Sequence, residues 1–395
     1  MSEVSKDGTV RVGIVGLGMA GSIMIPSIMA HSETALGGAA EVNALLRDKF
    51  SNDYDCRAES SIEALVARDD IDAVYIGTPH QFHRDHAILA AENGKHIVVE
   101  KPMALTLSDC DAMIEAARAN GIQLIVGHTH GFDAPVRKMK EVIDSGRIGR
   151  LRMILMFNFT DFLYRPRRPE ELDTSRGGGI LFNQLPHQID MVRTLAGDEL
   201  RSVLAVTGRF DVERNTEGAV MAMLNFADGT CASLTYSGYD RFDSDEFHGW
   251  IGEGGQSKAP AHDQTRQANQ AMRSSGIEAE MRSTLYGYGG AISKHFKEVP
   301  TAGHPHFGIL IASCEGGDIR HGPEGLIIYG QGGAEVVALD PPRTGGGRSE
   351  VLDELCDAIL RKIPPQHDGA FGRATLEAGL AILQSSQENR EVIIN

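Results

Sequence analysis

Residues Val10 to Gly21 read VRVGIVGLGMAG, and the fold of the first third of the chain turns on them. The apolar run Val10 to Val15 has the composition of a strand. Gly16-Leu17-Gly18-Met19-Ala20-Gly21 follows it directly and opens a helical stretch, Met19 to His31. A lone GxGxxG carries little weight, but between a strand and a helix it is the context in which the motif binds a dinucleotide. Gly16 permits the tight turn, Gly18 lets a pyrophosphate approach the backbone, and Gly21 lets helix and strand pack closely. The N-H groups of the helix start, around Met19 and Ala20, then face the phosphates. The motif also asks for an acid about 20 residues on, at the end of a second strand, to hold the ribose hydroxyls. Glu41, which ends Ala35 to Ala40, stands there. A carboxylate at that place repels a 2′-phosphate, so NAD rather than NADP is expected. Arg47 nearby softens the preference, and a solvated strand end is the alternative reading of Glu41.

Moving outward, strands and helices keep alternating. Ile62 to Ala67 reads as a short helix, Ile71 to Gly77 as a strand, His83 to Asn93 as a helix, and Ile97-Val-Val as a strand buried on both faces. Thr106 opens a capped helix that Asn120-Gly121 ends, and Ile122 to Val126 is the next strand. Such an alternation predicts a doubly wound parallel sheet, an α/β Rossmann domain, over residues 1–130. Ligands of such sheets bind beyond the carboxyl ends of the strands. That edge carries Thr78, Pro79 and His83 after one strand and Glu100, Lys101 and Pro102 after another. Thr78, Pro79, His83, Glu100 and Lys101 are therefore candidate cofactor contacts. His83 is equally readable as a plain helix-start residue, and Lys101 as a strand-end lysine paired with Glu100.

After Val126 the pattern changes. A helix, Asp133 to Ser145, leads into a long strand, Leu151 to Phe159, and later strands run over Arg201 to Arg209 and through a hairpin, Gly218 to Phe226 with Thr230 to Tyr236, around Asp228-Gly229. Residues 131–395 are expected to form an α+β open-sheet domain for substrate binding and oligomerisation, because one bare sheet face needs covering. Residues 240–300 form a polar insertion, with a patchy helical segment around Gln264 to Ser283; a subunit contact, a lid and partial disorder all fit it. Within this half, Gly177-Gly178-Gly179 precedes Asn183, His187 and Asp190. Asn183 and His187 stand four apart on one predicted helical face, where Asp190 can orient the ring.

The chain has 395 residues and a formal net charge of -16. That charge argues against nucleic acid as a partner, and no apolar run approaches the length of a membrane span. The polar start, MSEVSKDGTVRV, reads as neither a signal nor a transit peptide, and a cytoplasmic location is expected. Five cysteines without metal-like spacing read as reduced, and His128-Thr129-His130 alone does not make a metal site, so none is expected.

Taken together, GLGMAG, EKP and GGG-x-x-x-N-x-x-x-H-x-x-D resemble the glucose-fructose oxidoreductase, inositol dehydrogenase and MocA family over nearly the whole chain. The resemblance implies a nicotinamide-dependent dehydrogenase, a homodimer or homotetramer assembled through the C-terminal sheet. It also implies Lys101 as the lysine binding the reacting hydroxyl and His187 as acid/base. The family usually has Asp where this chain has Asn183, which counts against a polyol substrate. Longer strings, TPHQFH at Thr78 to His83, NFTDFLYRPRRPEELDT at Asn158 to Thr174 and HFGILIASCEGGDIR from His306, are similar to dehydrogenases of aromatic-ring cis-dihydrodiols of the phthalate type. That likeness implies oxidation of a dihydrodiol dicarboxylate to a catechol with NAD, Lys101 and His187 handling the hydroxyl proton. A dianionic substrate needs local cations in an acidic protein. Arg165, Arg167 and Arg168, beside Tyr164, are the candidates, because arginine forks suit carboxylates; pairing with Glu170, Glu171 and Asp173 is the structural alternative. His128 and His130, after the last Rossmann strand, are candidate pocket residues. A sugar or inositol dehydrogenase and a non-catalytic NAD(P)-binding sensor are the competing functions.

Overall fold

The apolar runs of β1 (Val10–Val15), β4 (Ala73–Ile76), β5 (His96–Val99) and β6 (Leu124–Val126) become largely buried strands, and with the half-buried β2 (Thr34–Ala40) and the short β3 (Ala58–Glu59) they form one parallel sheet in the order β3-β2-β1-β4-β5-β6. The order reverses between β1 and β4, the topological switch point at which such sheets bind ligands. Helices follow where capping residues stand: the Asn43 side chain accepts the N-H groups of Leu45 and Leu46, and Thr106 accepts that of Asp109 at 3.1 Å. Gly121, at φ +63°, ends the helix Leu107–Asn120 as its position predicts. The structure is a computed structural model that describes residues 8–197, 199–291, 301–322, 325–343 and 348–394.

Two units divide the chain. One comprises residues 1–128, 283–299 and 343–376, the other 129–282, 300–342 and 377–395. The expectation that everything after residue 130 belongs to the second domain is therefore corrected. The segment 343–376, with the helix Arg348–Cys356, returns to the first unit, where the Asp353 carboxylate meets His31 at 3.0 Å and the Arg373 guanidinium donates to Asp111 at 2.6 Å.

The second unit is built on a nine-stranded mixed sheet. Its strands are β7 (Leu151–Phe159), β8 (Leu200–Gly208), β9 (Ala219–Phe226), β10 (Cys231–Ser237), β11 (Ile309–Cys314), β12 (Gly317–Gly322), β13 (Gly325–Gly330), β14 (Gly333–Ala338) and β15 (Val392–Ile393), ordered β14-β13-β12-β11-β7-β10-β9-β8-β15. Only β7 and β10 pair parallel. Period-two alternation sends Ile154, Met156, Leu234, Leu224, Leu310 and Ile319 to a buried face, which the helices Ala134–Asp144 and Leu185–Ala196 cover. The opposite positions, Met153, Leu155, Leu204, Val206, Met221 and Met223, are 39–67% exposed. In the polar insertion, the single helical segment expected from Gln264 is two helices, Gln264–Ser274 and Glu278–Tyr286, separated at Gly276. Residues 292–300 of that insertion lie outside the described residues. No helix among the described residues is long and apolar enough to cross a membrane.

Candidate active site

In the first unit the glycine motif has the stereochemistry of a phosphate cradle. A Cβ at Gly21 would stand 2.1 Å from the Gly16 carbonyl oxygen and 2.9 Å from Ile14 Cγ2, so only glycine lets the helix lie this close to β1. At Gly18 a Cβ would meet nothing nearer than 3.9 Å, which leaves room for a ligand against the backbone. Glu41 stands at the end of β2, its Oε2 accepting the Leu17 N-H at 2.9 Å and its Oε1 that of Asn43 at 2.9 Å. The residues fit a dinucleotide: Gly18, Met19 and Ala20 at the phosphates, Glu41 at the ribose. Arg47 donates to the Glu41 and Val42 carbonyl oxygens at 2.8 and 2.9 Å, which ties its charge to the strand end.

Two strands over, Lys101 is fixed through its neighbours. The Lys101-Pro102 bond is cis. Glu100 accepts the Lys101 N-H at 3.2 Å and the Tyr75 hydroxyl, and the Arg348 guanidinium lies 3.9 Å from its carboxylate. Burial, reinforced by the Glu100 charge, pushes the Tyr75 phenol far above its ordinary value, so it serves as a proton-bearing donor. The strand-end reading of Glu100 as a cofactor contact gives way to this bracing role. His83 is likewise corrected. It is fully buried, with Nδ1 3.0 Å from the Pro102 carbonyl oxygen and Nε2 2.9 Å from that of Thr78. Burial pushes the ring below its usual range, so the neutral ring donates to one of these two carbonyls, and its nitrogens face the two turns rather than a ligand. Thr78 Oγ1 is 3.0 Å from His86 Nδ1. Tyr75 and Arg348 escaped the sequence reading. An inward tyrosine two residues before a strand end was visible, whereas Arg348 approaches from nearly 250 residues away.

In the second unit His187 lies on the first turn of Leu185–Ala196, 8% exposed. One wall of aromatic rings surrounds it: Phe307 at 4.8 Å between centroids and His130 at 4.9 Å, the latter at 64° to it; Phe307 in turn stacks on His130 at 4.9 Å and on Tyr236 at 6.1 Å. His130 Nδ1 is 2.6 Å from the carboxylate of Asp133, which is completely buried. Of these neighbours only His130 was singled out from the sequence. Phe307 lies in the HPHFG turn before β11, and nothing in its spacing announced a partner 120 residues earlier.

Asn183 is a correction. The helix Gly179–Asn183 ends at Gln184, and a new one begins at Leu185, with Pro186 in its first turn. Pro186 has no N-H to donate to the Phe182 carbonyl and its ring crowds that carbonyl, so the helical face expected to carry both Asn183 and His187 is broken. The Asn183 amide instead donates to the Gly179 carbonyl at 2.8 Å. The glycines matter for packing, since a Cβ at Gly178 would come within 2.7 Å of Asp173 N and Glu170 O. Asp190, one turn beyond His187, is buried.

The arginines of the loop are paired, and only Arg167 turns inward. Arg167 donates to the Phe162 carbonyl at 3.0 Å, lies over the Phe162 ring at 3.9 Å and approaches Glu171 at 3.7 Å; Arg168 reaches Glu170 and Glu171, each at 3.3 Å. Burial alone would raise the Glu171 carboxyl, but the hydrogen bonds and charge of Arg282 and the charge of Arg167 overcome it and hold the group at about 2. These contacts commit Arg167, 9% exposed at its side chain, to the loop interior, while Arg168 stays 45% exposed in its pairs with Glu170 and Glu171. Tyr164 is corrected as well, its ring 1% exposed and its hydroxyl donated to Asp211 at 2.6 Å. Arg165 donates to Asp161 at 2.7 Å, lies 3.7 Å from Glu253 and is 28% exposed at its side chain; with Glu253 it sets the charge near Tyr236, which packs on Phe307.

The chain is similar to known proteins along nearly its whole length. Residues 10–128 match the family profile described as an oxidoreductase family with an NAD-binding Rossmann fold, and residues 136–255 match the GFO/IDH/MocA C-terminal domain. A Comamonas testosteroni protein named 1-carboxy-3-chloro-3,4-dihydroxycyclohexa-1,5-diene dehydrogenase is 42% identical over 380 residues, 95% of either chain. The inositol 2-dehydrogenase of Rhizobium meliloti is 31% identical over 197 residues, 50% of this chain and 58% of that one. Among solved structures, a Bordetella bronchiseptica RB50 protein, provisionally a dehydrogenase, superposes with a TM-score of 0.93 at 43% identity, covering 98% of this chain and all of that one.

Proposed function

The chain belongs to the GFO/IDH/MocA family of oxidoreductases, and on that premise we propose that it oxidises an aromatic-ring cis-dihydrodiol bearing carboxylates to the corresponding catechol, with phthalate 4,5-cis-dihydrodiol as the specific substrate and NAD as the cofactor. The observation that carries the reading is the near-full-length likeness to a dehydrogenase whose name specifies a carboxylated ring diol. Likeness to the inositol enzyme is lower and stops at half the chain.

When bound, the nicotinamide accepts a hydride from the carbinol carbon. The protein handles the rest. Gly18 and the helix start at Met19 and Ala20 hold the phosphates. Glu41 engages the ribose and disfavours a 2′-phosphate. His187 accepts the hydroxyl proton as a general base. Lys101, its backbone set by Glu100 and His83, offsets the negative charge that develops on the substrate oxygen. Arg165 is assigned to a substrate carboxylate, exchanging part of its contact with Asp161 for a bidentate one. Copies of the chain pair through the exposed apolar face of the second sheet, giving a homo-oligomer in the cytoplasm.

The test supplies purified protein and NAD with the cis-4,5-dihydrodiol of phthalate, and with myo-inositol and glucose in parallel, following NADH. Turnover of the diol alone is expected. Turnover of the polyols alone would leave the family assignment standing and remove the substrate.

A further inference from the structure

Converting a ring cis-diol to a catechol removes two protons, and the base at the hydroxyl accounts for one. In the first step the C-H bond at the carbinol carbon breaks with its electron pair passing to the nicotinamide, the O-H bond on that carbon gives its proton to a base, and a ketone forms. The neighbouring carbon still carries one hydrogen and one hydroxyl. In the second step that C-H bond breaks, its electrons form the ring double bond to the former carbonyl carbon, and the carbonyl oxygen takes up a proton. The sum is diol plus oxidised nicotinamide giving catechol, reduced nicotinamide and one proton.

We propose that His130, held by Asp133, is the base for the second step, so that aromatisation takes place on the protein instead of in solution. The inference rests on the dihydrodiol reading above. Three observations carry it. The His130 ring points Nδ1 at the Asp133 carboxylate at 2.6 Å, and Asp133 is completely buried on the 3-10 turn and helix start that follow β6. A carboxylate only accepts, so Nδ1 carries the hydrogen, and it is Nε2 that holds the lone pair whenever the ring is neutral. That is the tautomer a general base needs, fixed by a carboxylate as in hydrolytic triads. His130 also stands 4.9 Å from His187, nearly perpendicular to it, with Phe307 against both rings. Two imidazoles on one wall match what the substrate presents. The O-H proton and the second C-H proton leave from adjacent carbons, the second once the ring turns that C-H bond perpendicular to the new carbonyl plane, where its electrons enter the π system, so two bases side by side can serve them in turn. An oxidation of a lone carbinol has one proton to move and no use for a second base.

Single-turnover experiments on wild-type protein loaded with NAD read both steps, NADH and catechol having separate absorbances. Catechol is expected to keep pace with NADH at every buffer concentration. Deuterium at the second carbinol carbon should slow catechol more than NADH. In His130→Gln and Asp133→Asn the ratio of catechol rate to NADH rate is expected to fall about a hundredfold, the usual worth of a positioned base. The remaining catechol formation should rise with buffer concentration, and added imidazole should restore it in His130→Gln. Wild-type catechol that lags NADH and follows buffer concentration overturns the proposal without any variant, and so does a ratio that His130→Gln leaves unchanged. If wild type makes no NADH from the diol, the substrate reading fails first and takes this inference with it.

Discussion

Glu100 shows how a residue can govern a site it does not line. Its carboxylate receives the Tyr75 hydroxyl and the Lys101 N-H, with Arg348 at 3.9 Å. Hydrogen bonds to charged groups are worth about 1.5–3 kcal/mol, and a buried acceptor that loses one bears the desolvation cost. Tyr75→Phe is therefore expected to lower unfolding stability by about 1.5–3 kcal/mol and to reduce kcat while NAD affinity changes little, as read by denaturant unfolding, steady-state rates and a cofactor titration. Unchanged stability would mean that Glu100 is not held by Tyr75. Lys101→Ala separates the enzyme from a sensor: an enzyme variant binds NAD and loses nearly all turnover, whereas a sensor's ligand response would be indifferent to it. The sequence exposed Lys101 itself because a charge at the end of a buried strand is conspicuous. It hid the bracing, because Tyr75 and Arg348 meet Glu100 only after β4 and β5 pair and a distant helix folds back.

Elements were legible where the period was clean. The β7 bounds, Leu151–Phe159, and the hairpin of β9 and β10 around Asp228-Gly229 follow directly from alternation and turn chemistry. The helix Arg348–Cys356 belongs to the first unit, which its amphipathic stripe does not announce, since a stripe does not name the sheet it will cover. The arginine loop misled for a related reason: three cations look available in a sequence, and Glu171 and Glu170, which claim Arg167 and Arg168, look equally solvated. The clean alternation of the second sheet makes its own prediction. Register places Leu155, Ser233, Met223 and Leu204 in one row across four strands and Phe157, Thr235, Met221 and Val206 in the next. Contiguous apolar surface of this kind is uncommon on a monomer. Wild type is expected to run as a dimer or tetramer in light scattering after size exclusion, and Val206→Glu with Met221→Glu to run as a monomer. A monomeric wild type at micromolar concentration would refute self-association through this face.

Across the whole molecule the histidines decide how stability responds to acid. Burial pushes His306 and His321 far below the ordinary value, His248 and His304 below it, and in the first unit lowers His83 and brings His96 to about 4. Arg320 adds its repulsion at His321 and His248, while Asp133 pulls His304 the other way. Each ring is neutral in the folded protein at a pH where the unfolded chain already binds a proton. Its stabilisation is complete above the unfolded value of about 6.5 and is lost as pH falls from there toward the folded value, at up to about 1.4 kcal/mol per pH unit for each ring. Asp245 works in the opposite sense: burial pushes it up to about 7 against the pull of Lys258, so the folded protein gains a proton there as pH falls and one ring's loss is offset. Glu171, at about 2, begins to matter only as pH falls through the ordinary carboxylate value toward its own. The unfolding midpoint should therefore be flat above about pH 7 and fall steeply between roughly pH 6.5 and 5, with proton uptake on unfolding exceeding one per molecule. His321 identifies the source. Its Nε2 is buried without a hydrogen-bond partner on the core face of β12, two residues from Ile319. His321→Leu should raise stability at acidic pH and make the slope shallower by about one proton, checked by calorimetry at several pH values. An unaltered slope would place the acid sensitivity elsewhere in the chain.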